Sequence, residues 1–150
     1  MGMTAALEAA REAAERGEVP VGAVVLGPEG GVIARAGNEV EQRRDPSAHA
    51  EILAMRAATA VLGTRSLADC TLVVTLEPCP MCASAMVHFR LGRVIYGAYD
   101  PKGGGVDHGP RIFEQHGCLH RPEVIGGVQE QENALLLKKF FITLRETRDF

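Results

Sequence analysis

No apolar run in this 150-residue sequence approaches the roughly 20 residues needed to cross a bilayer, which sets aside a helical membrane protein. The N-terminal stretch is rich in Ala and acidic residues, whereas a secretory leader would be basic and then apolar, so the expected compartment is the cytoplasm. There is no surplus of positive charge either. Sixteen Lys and Arg stand against 19 Asp and Glu, for a formal net charge of −3, which argues against a generic nucleic-acid coat protein. Long blocks of like charge are missing and 46% of the residues are apolar, so disorder is not expected. Cysteines number four, and in a chain that reads as intracellular they are expected as metal ligands or buried thiols and not as disulfides. A phosphate-binding glycine fingerprint is also absent.

What is present fits one domain with a respectable core. Residues 5–16 are strong helix formers, with Thr4 available as N-cap and Gly17 as terminator. The β-prone runs 19–26 and 32–36 flank a Gly-Pro-Glu-Gly-Gly turn and read as an antiparallel hairpin. Asp45-Pro46 is expected to open a helix over 47–62, closed by Gly63, with His49 and Glu51 in its first turns. A buried strand over 71–76, a helix over 80–89 ended by Gly92, and a strand over 94–98 form a βαβ unit, so the sheet is mixed. A short helical piece near Ile112, a last strand over 123–126 and a helix over 131–145 complete the chain.

The chemistry concentrates in His49-Ala50-Glu51 and in Pro78-Cys79-Pro80-Met81-Cys82. Alone, a Cys-x-x-Cys reads equally as a redox motif or half of a structural zinc site, and a His-x-Glu arises by chance. Together they suggest more. A structural zinc site wants four protein ligands, and neither Cys70 nor Cys118 has a neighbour at ligand spacing; both are simplest as small buried hydrophobes. His49, Cys79 and Cys82 would leave one position open, as a catalytic zinc needs in order to activate a water. Glu51, two residues from His49, should point away from a shared coordination sphere and serve instead as proton carrier. His-x-Glu with Pro-Cys-x-x-Cys is recognised as the signature of zinc nucleobase deaminases.

At this point the chain resembles the bacterial tRNA-specific adenosine deaminases, which convert a wobble adenosine to inosine. The likeness extends to Glu-Val-Pro-Val-Gly-Ala-Val at 18–24, to Asn38 ahead of Asp-Pro-Ser-Ala-His-Ala-Glu, and to Gly-Arg-Val-Ile-Tyr-Gly-Ala-Tyr-Asp-Pro-Lys at 92–102. The late Phe140-Phe141 pair with Arg145 is similar to that family's C-terminal helix. The resemblance implies a three-layer α/β/α, cytidine-deaminase-like sandwich around a mixed five-stranded sheet, a homodimer, and one zinc per chain. It further implies a partner tRNA anticodon stem-loop, whose base is flipped out of a partly unstacked single-stranded loop. By position, Asn38 should hydrogen-bond the flipped nucleoside, Val19, Pro20 and Val21 should line its pocket, and Asp100 should face the sugar or backbone. Lys102 joins these substrate-binding candidates. Asn38 and Asp100 are also each suited to starting a turn.

The sequence departs from the family at 103–110, Gly-Gly-Gly-Val-Asp-His-Gly-Pro, where Asp107 is expected to bring negative charge near a polyanion. Other readings stay open. A free-base deaminase for guanine shares the zinc constellation and suits an acidic chain. A deaminase of a cytosine nucleotide fits less well, since the surroundings of Asn38 and Gly-Ala-Tyr-Asp do not suggest it, and a zinc-retaining RNA-binding scaffold would not need Glu51.

Overall fold

The computed structural model describes residues 2–148. Along the chain it comprises α1 (Met3–Glu15), β1 (Gly22–Leu26), β2 (Val32–Gly37), α2 (Val40–Arg43), α3 (Ala50–Leu62), β3 (Thr71–Leu76), α4 (Pro80–His88) and β4 (Arg93–Ala98). A 3-10 turn (Ile112–Glu114), β5 (Glu123–Ile125) and α5 (Glu130–Arg148) follow. The strands form one five-stranded sheet in the order β2-β1-β3-β4-β5. The hairpin β1–β2 and the pair β1–β3 are antiparallel, whereas β3–β4 and β4–β5 are parallel. The mixed sheet expected from the hairpin and the βαβ unit is therefore what forms.

Strand alternation builds two cores. Val24, Val73 and Ile95 face one side and pack on Met3, Ala6 and Leu7 of α1, with Leu136 of α5 against them. Ala23, Val25, Leu72, Val74, Val94 and Tyr96 face the other and pack on Ala50, Ala54 and Met55 of α3 and Ala83 and Met86 of α4. These faces give the α/β/α layering. Gly22 is required where α1 crosses β1, because a Cβ there would collide with the Ala6 carbonyl. The Gly22 amide also donates to the buried Thr75 Oγ1, 3.1 Å away.

Several boundaries differ from the sequence expectation, each for a local reason. Thr4 does not cap α1; Gly2, with φ of 54°, precedes the helix instead. Val19–Val21 stay outside the ladder, because Pro20 has no N–H and the Val21 amide turns back to the Val19 carbonyl at 2.8 Å. Asp45 does not cap the long helix. Its Oδ1 accepts from the Ser47 amide and hydroxyl, which makes a separate turn, and α3 starts only after His49, whose backbone is extended. Gly92 does not terminate α4. Phe89 caps it and Arg90 takes the positive φ, while Gly92 is kept small by the Ala68 carbonyl.

Register determines which loops meet. Gly22 pairs with Gly37, Ala23 with Val74 and Leu76 with Ala98, so the start of β1 and the ends of β2, β3 and β4 share one edge of the sheet. Residues 19–21, 38, 77–79 and 99–103 emerge together there.

Candidate active site

That edge is where the two chemical motifs converge. Pro80 provides the fixed φ suited to a first helical position, so Cys79 becomes the extended N-cap of α4 and Cys82 falls in its first turn. His49 is likewise the N-cap of α3. Its Nδ1 lies 3.6 Å from Cys79 Sγ and 3.5 Å from Cys82 Sγ. The three donor atoms fall within 4.8 Å of one another.

A tetrahedral zinc with ordinary Zn–S and Zn–N bonds separates sulfur and nitrogen ligands by about 3.6 Å, so this donor set fits the ion in spacing as well as in chemistry. The charge state points the same way. The Cys82 thiol beside it, and secondarily the His49 ring, hold the Cys79 thiol down at about 4 against the effect of burial. The Cys79 thiolate and burial push Cys82 strongly up. A thiolate is the form in which cysteine ligates a divalent cation. His49 is raised by its bond to Cys79, with burial opposing.

A cleft of about 250 Å³ opens beside these groups, lined among others by Val19, Val21, Asn38, Glu51, Glu77 and Asp100. Glu51 is only 4% exposed, and burial pushes its carboxyl up to about 7. It is not one of the three clustered donors His49, Cys79 and Cys82. A carboxyl poised near neutrality inside a cleft is suited to taking and giving a proton.

Asn38 lines the cleft and is 9% exposed; its Oδ1 accepts from the Val40 amide at 3.2 Å, which leaves the amide nitrogen to offer a ligand. Asn38 thus both makes a turn and lines the cleft. The same holds for Asp100, whose Oδ1 accepts from the Gly103 amide at 2.9 Å. Pro20 is buried but not among the lining residues, and Lys102 is exposed outside the cleft. Cys82 is fully buried behind it.

Sequence reading missed two buried carboxylates. Glu18, 1% exposed, accepts from the Glu41 and Gln42 amides at 2.9 and 2.8 Å and so fixes the start of α2 on the path from Asn38 to His49. Glu77 lines the cleft and holds the loop beyond β4; burial alone would raise its pKa, but donors led by the Asp100 amide keep it below the usual carboxylate range. The only cue was its place ahead of Pro78-Cys79, inside the metal motif. Asp107 is exposed, and its carboxylate accepts a hydrogen bond from the Tyr96 hydroxyl.

The zinc-binding region of cytidine and deoxycytidylate deaminases matches residues 1–98. A tRNA-specific adenosine deaminase of Agrobacterium fabrum is 50% identical over 139 residues, covering 93% of this chain and 91% of that protein. Among solved structures, one from a study of A-to-I editing by tRNA:A34 deaminases at the wobble position of transfer RNA superposes with a TM-score of 0.87 at 49% identity, covering 89% of this chain and 96% of the other. A guanine deaminase from Nitrosomonas europaea superposes with a TM-score of 0.78 at 30% identity, covering 92% and 81%.

Proposed function

The chain belongs to the cytidine and deoxycytidylate deaminase family, and from that premise we propose that it deaminates adenosine to inosine at the wobble position of a tRNA anticodon. The single observation that carries the chemistry is the His49–Cys79–Cys82 donor set beside a buried Glu51 in one cleft. The likeness to tRNA-specific adenosine deaminases over nearly the full length carries the substrate.

When bound by His49 Nδ1, Cys79 Sγ and Cys82 Sγ, zinc supplies Lewis-acid activation of the attacking water. Glu51 would take one proton from the attacking water and give it to the ring nitrogen beside the carbon under attack. It would then take the remaining hydroxyl proton and give it to the amine, which leaves as ammonia while the oxygen stays on the carbon. Burial holds its affinity for a proton near that of neutral solution, so one group can act first as base and then as acid. Asn38 offers its amide nitrogen to the flipped nucleoside, and Val19 and Val21 supply apolar walls that exclude water from the base. Asp100 stands at the rim, where sugar and backbone would lie.

Residues 1–150 act as one deaminase domain in this reading, because Glu77, within the matched region, anchors residues 100–108 beyond it. We take the working form to be a cytoplasmic homodimer; among the described residues no helix is long and apolar enough to cross a membrane. Guanine deamination is the second reading, favoured by the likeness to the Nitrosomonas europaea enzyme. Nucleoside analysis of an anticodon stem-loop incubated with the zinc-loaded protein separates them: inosine supports the first reading, and an unmodified loop beside consumed guanine supports the second.

A further inference from the structure

The loop that departs most from the expected family pattern, residues 103–110, is tied to one buried side chain. Glu77 is 2% exposed, and its carboxylate accepts from the amides of Asp100, Val106, Asp107 and His108 at 3.0, 3.2, 3.0 and 3.0 Å. A fifth donor is the His108 ring, with Nδ1 2.8 Å from Oε1; facing a carboxylate that only accepts, Nδ1 carries the proton. Three consecutive amides converging on Oε2 make a concave anion-binding turn of a kind usually found around an external ligand. Here the anion belongs to the protein.

The glycines of this loop follow from that arrangement. A Cβ on Gly104 would collide with the Glu77 carboxylate, and one on Gly105 would lie 2.6 Å from the Pro80 nitrogen, so the backbone rests directly on Glu77 and on the start of α4. Gly105 also donates to the Pro78 carbonyl at 2.8 Å and accepts from the Ile112 amide at 2.8 Å. The same carboxylate that gathers the loop, through Oε1 on the Asp100 amide, fixes the cleft rim formed by Asp100 and Gly103.

Building on the proposed function, we infer that Glu77, latched by His108, is a positioning residue that sets the rim of the cleft and so governs substrate affinity rather than the chemical step. Its effect passes through the placement of Asp100 and Gly103. Residue 108 is thereby a determinant of rim geometry, through a hydrogen bond whose carboxylate is buried and whose imidazole is half-buried.

The test uses zinc-loaded full-length protein with Glu77→Gln, His108→Ala and His108→Asn. Stem-loop turnover is measured over a range of RNA concentration, alongside zinc content and amide hydrogen exchange over residues 100–112. Glu77→Gln cannot accept at both oxygens, and His108→Ala removes only the ring, so the latter keeps the test open if the former does not fold. Both should raise KM about tenfold with kcat within about twofold, and both should speed exchange at residues 104–108 by about tenfold or more. His108→Asn, which restores a side-chain N–H donor, should recover most of the affinity. Unchanged KM and exchange in His108→Ala, loss of kcat at constant KM, or loss of zinc would overturn the assignment. Hydrogen exchange is read without substrate, so a wild-type protein that ignores the stem-loop would refute the tRNA reading while the latch is still decided by exchange and by KM for guanine.

Discussion

His49 Nδ1 and Cys82 Sγ stand 3.5 Å apart although 33 residues separate them in sequence. That distance is imposed by two helix starts meeting at one sheet edge, and it matches neighbouring ligands on one tetrahedral zinc. Purified protein should therefore hold about one zinc per chain, and Cys82→Ala or His49→Ala should lose most of it. Elemental analysis checks this; full zinc in Cys82→Ala would contradict the ligand assignment.

The opposite shifts of Cys79 and Cys82 give a second expectation. With Cys79 held as thiolate, Cys82 held as thiol and His49 raised, uptake of zinc at neutral pH should release at least one proton, and affinity should fall as pH is lowered. Calorimetric titration of the metal-free protein in buffers of differing ionisation heat counts the protons released. Zinc uptake independent of buffer would be the contrary result.

Glu51 separates catalysis from stability. Glu51→Gln should keep zinc and stem-loop affinity while losing turnover by about 10²–10⁴-fold, because the ligand set is intact and the proton carrier is gone. In the metal-free protein the same change should stabilise the fold at pH 7 and above by about 1–3 kcal/mol. The reason is linkage: the folded protein keeps the Glu51 proton up to about 7, whereas the unfolded chain releases it near 4.5, so stability falls as pH rises through that window. Chemical denaturation at pH 5 and pH 8 measures the slope, which Glu51→Gln should flatten.

Asn38 carries two functions that a pair of substitutions can divide. Asn38→Asp keeps an oxygen for the Val40 amide but removes the free N–H donors, so it should weaken stem-loop binding about tenfold or more with little change in melting temperature. Asn38→Ala should lower both. Comparing binding isotherms with melting curves checks the division, and harmless Asn38→Asp would remove Asn38 from the pocket.

Much of this was legible in the sequence because the relevant signals are local. Hydrophobic alternation in Thr71–Leu76 and the Pro80 start of α4 require only neighbouring residues to read. The metal triad was legible because its donor chemistry allows few alternatives. What escaped depends on distant partners. Nothing near Glu18 or Glu77 reveals that their carboxylates are buried under amides 23 to 31 residues away. Asp45-Pro46 looked like a helix start because a turn cap and a helix cap use the same side-chain oxygen, and only the extended His49 shows which was formed. That the exposed Asp107 also accepts from the Tyr96 hydroxyl was hidden, because alternation alone marks Tyr96 as core.

The account stands most directly on which base is deaminated. Zinc-loaded protein should be given an anticodon stem-loop with adenosine at the wobble position, in parallel with free guanine and cytidine, and the products resolved as nucleosides and bases. The account predicts inosine and ammonia from the stem-loop, with apparent affinity weakening as salt rises because phosphates are contacted, and no appreciable turnover of guanine or cytidine. Efficient conversion of free guanine, indifferent to salt, while the stem-loop stays unmodified would contradict it.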